Sequence, residues 1–375
     1  MVHYIGWYIA NDDKEKYSGN VPGNLKMHYV VEMLKQAGKR VAVLSLADRN
    51  KSIIYFPQRR ILTDETSICY VGGIYNGKKV FKKLNSFLKK IQFICYVLFY
   101  VKKDDAILLY HSLEYTKFLS KIKSIAKRKV IIEVEEIYGY SAIEDKPWVN
   151  EEISAIKKMD YFITVNDGMI VSLDLPADKS VANYGVGIIP CRNVERINDG
   201  KIHVVYAGTI ENKKRGAFMA AETARFLSND YHLHIIGFGK EKDIDALKSL
   251  IEVINRDADY WRVTYDGFFS GKELDDFLFK CHIGLSSNVM RPNFANNSFP
   301  SKVITYMCHD LSIVLGYANA FYDVPISKGW QFYHNYEPKE VADAITRTEV
   351  KPIGAYHAQI NRMNEDLLSF LKRYC

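Results

Sequence analysis

The chain has 375 residues, 48% of them hydrophobic and 25% charged, with a formal net charge of +7. That length predicts two or more domains, each able to bury its own core, and that composition excludes an intrinsically disordered chain. The positive balance favours phosphorylated small molecules, acidic lipid headgroups or nucleic acid as partners, but no RNP pattern, zinc-finger spacing or long basic arm supports the last.

Met1-Val2-His3 leads straight into an apolar run with no basic segment or cleavage site, so a cytoplasmic protein without a signal peptide is expected. Tyr4–Ala10 reads as the first strand. Between Tyr17 and Asn24, Gly19 and Gly23 let the backbone approach a ligand closely; a flexible surface loop is the alternative. Asn24 is placed to cap a helix that runs to about Gln36 and ends at Gly38. Val41–Leu46 and Ile68–Val71 are further strands.

From Lys78 to Cys95 the periodicity is helical. Val80, Phe81, Leu84, Phe87, Leu88, Ile91 and Ile94 share one face, and Lys78, Lys79, Lys82, Lys83, Lys89 and Lys90 share another. Two readings stay open: a core-packed helix with a solvated basic face, or an interfacial helix on anionic lipid. The longest apolar run, Ile91 to Val101, is too short to span a bilayer.

Ala106–Tyr110 is a strand with His111 at its end. Val130–Val134 is another, ending in Glu135 and Glu136. A carboxylate pair at a strand's carboxyl end suits acid–base work, although pairing with a cation or capping a helix is the alternative. Tyr161–Val165 completes the first set. A turn-rich stretch, Tyr184 to Pro190, marks a domain boundary, predicting one domain over residues 1–190 and a second over 200–350.

The second half restarts the alternation with strands at Val204–Gly208, Leu233–Gly237, Val263–Tyr265, Ile283–Ser286 and Ser312–Gly316. Helices are expected from about Arg215, Glu241 and Gly271, and a closing helix over residues 355–375. The loop after the first of these strands carries Lys213, Lys214 and Arg215, a phosphate grip or a solvated basic loop. Pro300 can open a helix that presents Ser301 and Lys302 above the strand ends. The six cysteines are scattered with no C-x-x-C pair, which predicts a reduced compartment and no metal site.

Four segments in this order carry a resemblance: Gly208-Thr209 through Arg215-Gly216, then Ile236-Gly237-Phe238-Gly239, then Asp266-Gly267-Phe268, then Pro300-Ser301-Lys302 with Tyr306. They resemble GT-B glycosyltransferases, especially family 4. The resemblance implies an α/β fold of two Rossmann-like domains facing a cleft, with the last helix crossing back to the first domain. It also implies transfer of a sugar from a nucleotide sugar, a UDP-sugar, to a hydroxyl of a glycan or polyprenyl-linked glycan, with no cofactor or metal. Gly19, Gly208, Thr209, Arg215, Gly237, Gly267, Phe268, Asn297, Ser301, Lys302 and Thr305 would then face the donor; Glu135, Glu136 or His111 remain the base candidates by their strand-end placement, the acidic pair standing where many relatives have H-D. The chain departs from the family's E-x7-E frame, with Asn297 and Thr305 where two glutamates stand. A catalytically silent scaffold that binds nucleotide sugar or membrane, and a nucleotide-sugar epimerase of the same fold, are the rivals.

Overall fold

Runs such as Val41-Ala42-Val43-Leu44 and Val130-Ile131-Ile132 have no polar side to turn to water, so they form strands covered on both faces. A computed structural model describes residues 1–50, 54–74, 79–140, 144–213, 215–258, 260–287 and 292–375. Lys78 and Lys214 lie outside the described residues. The chain divides into two compact units, Met1–Val186 with Asn364–Cys375, and Gly187–Met363.

The first unit is built on strands β1 (Val2–Gly6), β2 (Val41–Ser45), β3 (Gln58–Thr63), β4 (Thr66–Tyr70), β5 (Ala106–Tyr110), β6 (Lys129–Val134), β7 (Tyr161–Thr164) and β8 (Ser180–Ala182). They lie in the order β8-β7-β6-β5-β1-β2-β4-β3, parallel throughout except that β3 runs antiparallel to β4. Helices α1 (Val21–Gln36), α2 (Lys79–Cys95), α3 (Leu113–Ala126), α4 (Val149–Lys157) and α5 (Asp167–Ser172) accompany the sheet. Tyr4, Val30, Leu34, Val43, Ile68, Leu108 and Ile131 form its core.

The second unit repeats the plan with β9 (Ile202–Ala207), β10 (Tyr231–Ile236), β11 (Val263–Gly267), β12 (Ile283–Ser286), β13 (Ser312–Gly316) and β14 (Gln331–Tyr333). All are parallel, in the order β11-β10-β9-β12-β13-β14. Its helices are α6 (Gly216–Thr223), α7 (Glu241–Arg256), α8 (Gly271–Lys280), α9 (Pro292–Asn296), α10 (Lys302–Cys308) and α11 (Pro338–Thr346). The closing helix α12 (His357–Tyr374) buries Leu367, Phe370 and Leu371 in the core of the first unit.

Three local readings are corrected. The first strand stops at Gly6 rather than Ala10, because the next residues find their hydrogen bonds outside the sheet. The Asn24 side chain accepts from Ile9 N–H at 2.7 Å and donates to the Ile9 carbonyl at 3.1 Å, and the Tyr70 hydroxyl accepts from Ala10 N–H. Asn24 is therefore a tether inside α1, and Asn20 holds the cap position. Third, α2 turns only part of its apolar face inward: Phe81, Leu88 and Ile94 are half-buried and Val80, Leu84, Phe87 and Ile91 are exposed, whereas Asn85, Lys89 and Phe93 are buried.

Candidate functional site

In the second unit the strand order reverses between β9 and β12, so connections leave their carboxyl ends in opposite directions. Open parallel sheets take their ligands in the crevice at such a point. Helix α10 is fixed there by one side chain. The buried Tyr306 hydroxyl accepts from Ala207 N–H at 2.7 Å and donates to the Leu285 carbonyl at 3.3 Å, joining the ends of both strands. Its ring lies where any Cβ on Gly284 would sit.

One turn before Tyr306, Lys302 places its ammonium over the Tyr206 ring, 4.0 Å from the centroid. A Cβ on Gly208 would lie 2.9 Å from Lys302 Nζ, so the bare backbone of Gly208 faces that cation. The Tyr206 hydroxyl also limits Gly216, where a Cβ would come within 2.5 Å of it. Ser287, buried at the end of β12, donates to the Gly216 carbonyl at 2.7 Å. Tyr206 and Ser287 thus position the start of α6. Neither stood among the predicted site residues; the tyrosine two residues before the strand-end glycine was the available signal.

Beside this cation the glycines close ranks. Gly208 N–H donates to the Ile236 carbonyl, and Gly237, at φ +143°, leaves no room for a Cβ against the Gly208 carbonyl. Gly237 N–H in turn donates to the Gly267 carbonyl at 2.8 Å. The residues after these glycines, Phe238 and Phe268, are both exposed and meet edge to face with centroids 5.6 Å apart. They form an aromatic platform at the carboxyl ends of β10 and β11.

The other predicted donor residues are placed differently. Arg215 sits in the left-handed region at φ 56°, with its guanidinium 2.8 Å from Glu222 and over the Phe218 ring. Its charge is engaged along α6. Asn297 is buried and donates to the Asn293 carbonyl at 2.9 Å. The Thr305 carbonyl accepts from His309 Nδ1, Thr209 is half-buried, and Ser301 is exposed before α10. Gly19 belongs to the first unit, where a Cβ would meet the Ile9 side chain.

The first unit has its own reversal, between β1 and β5, and a polar cluster lies nearby. Glu133 on β6 is fully buried and accepts from the Tyr4 hydroxyl. Burial, then the charge of Glu135, pushes its carboxyl up to about 8. Glu135 lies 3.4 Å from Lys26 Nζ, and that buried ammonium also donates to the Asn183 carbonyl at 2.7 Å. Glu136 is half-buried, and its carbonyl pairs with His111 Nδ1 at 3.2 Å. Burial lowers the His111 imidazole to about 4, with Nε2 3.4 Å from the Glu152 carboxylate. Glu152 is occupied structurally, accepting from Tyr138 and Gly139 N–H. Glu133 and Lys26 were missed by sequence reasoning, though a lone carboxylate inside the run Val130-Ile131-Ile132-Glu133-Val134 was a usable signal.

No protein-family model matches the chain, and no curated protein matches it. Solved structures do, and they define the class: the chain has the GT-B fold. One neighbour is the UDP-forming α,α-trehalose-phosphate synthase of Burkholderia xenovorans in complex with glucose-6-phosphate. It is 11% identical, with a TM-score of 0.67 over 100% of this chain and 97% of that one. An E. coli trehalose-6-phosphate structure bound with UDP-2-fluoro glucose is 8% identical at a TM-score of 0.67, covering 100% and 97%. Anabaena HepE in complex with UDP is 10% identical at a TM-score of 0.57, covering 99% and 93%.

Proposed function

We propose that the protein is a glycosyltransferase that moves a sugar from a UDP-sugar to a hydroxyl of a glycan or lipid-linked glycan, as in surface polysaccharide assembly. The observation that carries this reading is the Lys302 ammonium seated on Tyr206 beside the bare backbone of Gly208, at the reversal of the sheet. As the sugar–phosphate bond breaks, negative charge develops on the leaving diphosphate, and a fixed cation there stabilises the transition state more than the ground state. The Phe238–Phe268 platform, next to Gly237 and Gly267, offers a stacking surface for the base. The solved neighbours named with UDP and UDP-2-fluoro glucose support that donor class.

The acceptor belongs to the first unit in this reading, with Glu135 or Glu136 taking its proton and His111 as the alternative base. Lys26, 3.4 Å from Glu135, orients that carboxylate. The protein would work in the cytoplasm, at the inner face of the membrane that carries the lipid-linked acceptor; among the described residues no helix is long and apolar enough to cross that membrane.

Calorimetric titration with UDP and a panel of UDP-sugars, followed by donor turnover, tests the reading. Lys302→Ala should lower turnover with the expected donor by about 100-fold or more, since one lost contact to a developing oxyanion costs about 2–4 kcal/mol. UDP binding without turnover of any UDP-sugar would favour the silent scaffold, to which Asn297 and Thr305 in place of two glutamates point. No UDP binding, or full turnover in Lys302→Ala, would overturn the donor assignment.

A further inference from the structure

Helix α2 holds part of its apolar surface outward. Val80, Leu84, Phe87 and Ile91, spaced to fall on one stripe, are 75%, 41%, 58% and 42% exposed. The π-helical turn Tyr96–Tyr100 continues it with Phe99 at 83% and Tyr100 at 43%. The side facing the protein carries polar anchors, with Phe93 and Val97 buried beside them and Phe81, Leu88 and Ile94 half-buried. Lys89 donates to the Leu46 carbonyl at 2.6 Å and pairs with Asp48 at 2.8 Å. Asn85 donates to the same Asp48 carboxylate and accepts from Ile74 N–H, while the Gln92 amide exchanges two hydrogen bonds with the Gly72 backbone.

These inward bonds fix the helix's rotation, so the stripe cannot roll into the core without stranding Lys89 and Asp48. An ordinary surface helix does the reverse, and a held-out apolar stripe of this length marks an interaction surface. The charges around it indicate the occupant. Lys82 and Lys83 are exposed on the first turns, Lys102 and Lys103 just past the end, and Arg59 lies over the Tyr100 ring at 5.5 Å. The acidic neighbours are fewer: Glu114, which holds Lys90 and Ser86, and the exposed Asp104. A second copy of the chain would bring this basic rim against another of the same charge, which is unfavourable; an anionic bilayer satisfies the stripe and the lysines together.

We propose that α2 and the turn after it are a docking surface for an anionic lipid bilayer, with Leu84, Phe87, Ile91 and Phe99 entering the acyl boundary and Lys82, Lys83, Lys102 and Lys103 meeting the headgroups. This deepens the membrane location in the functional reading, yet needs nothing from the transfer chemistry. Lys89 is excluded from the lipid contact, being part of the lock.

Co-sedimentation of the full chain with vesicles tests it, comparing pure phosphatidylcholine with phosphatidylcholine–phosphatidylglycerol mixtures. The wild type should bind the anionic vesicles and be released by salt. Leu84→Ser/Phe87→Ser/Ile91→Ser and, separately, Lys82→Gln/Lys83→Gln should each weaken binding by about tenfold or more, with the melting temperature held. UDP affinity should stay unchanged in both, and Lys302→Ala should bind vesicles normally, so failure of the docking surface and failure of the donor site give different results. The proposal is overturned if the wild type ignores anionic vesicles, or if the serine variant binds them equally. A dimer in sedimentation velocity that the serine variant converts to monomer would also overturn it, assigning the stripe to a second copy.

Discussion

Lys302 and Arg215 carry the same charge, and both sit at the start of a helix in the second unit, but their surroundings separate them. Lys302 is held on an aromatic face beside a glycine backbone, whereas Arg215 reaches along its own helix to Glu222 and takes a backbone conformation that costs a side-chain-bearing residue about 1 kcal/mol or more. The exposed Arg215–Glu222 pair offsets little of that cost. Arg215→Gly should therefore be more stable to urea than Arg215→Ala by about 1 kcal/mol, since the alanine keeps the strain and the glycine removes it. If Arg215 also turns to the diphosphate when donor binds, both variants should lose turnover equally despite their different stabilities. Two variants of equal stability would show that the left-handed backbone carries no strain here.

At the scale of elements, α10 and α2 are each positioned by polar atoms rather than by apolar area alone. Tyr306 joins α10 to β9 and β12 through one hydroxyl; Tyr306→Phe leaves Ala207 N–H without that acceptor and should cost about 1–3 kcal/mol in denaturant unfolding. Unchanged stability would mean that the ring alone holds the helix. For α2, Lys89→Gln removes a buried ammonium from its half-buried Asp48 partner and the Leu46 carbonyl and should destabilise by about 2 kcal/mol, whereas Lys83→Gln on the exposed side should stay within about 0.5 kcal/mol. Near-neutral Lys89→Gln would restore the solvated-lysine picture. Periodicity in the sequence told which residues of α2 share a face, but which face turns inward is decided by Asp48 and the Leu46 carbonyl, some forty residues earlier. That information is not in the helix. The edge strand β3 was unreadable for a related reason: Gln58-Arg59-Arg60 is polar, and its pairing with β4 depends on a neighbour rather than on apolar content.

At the scale of the whole chain, the buried parallel strands were legible because their runs are apolar throughout, and Gly208, the first strand-end glycine of the second unit, stood where the sheet reverses. The first unit's polar cluster was less legible, since Glu133, Lys26 and Tyr4 meet only through the fold. The two units also carry different proton linkages. In the second, burial, reinforced by His234, lowers His232 to about 4, and burial, reinforced by Arg196, lowers His282 to about 4. Between that value and the ordinary 6.5 the unfolded chain binds protons that the folded unit refuses, so stability is whole above about 6.5 and falls as the pH drops toward 4. In the first unit His111 acts the same way, and burial also lowers His3, but Glu133 opposes both. With its carboxyl raised to about 8 against an ordinary 4.5, the folded unit keeps a proton that the unfolded chain releases, and its contribution grows as the pH falls from 8 toward 4.5. Acidification from pH 7 to 5 should therefore destabilise the second unit more than the first. Hydrogen exchange followed by mass spectrometry resolves the two, with protection falling further in β9 and β10 than in β1 and β5. His232→Gln/His282→Gln should flatten the loss in the second unit, and Glu133→Gln should make the first unit as acid-sensitive as the second. Equal loss of protection in both units of the wild type would refute this difference in linkage.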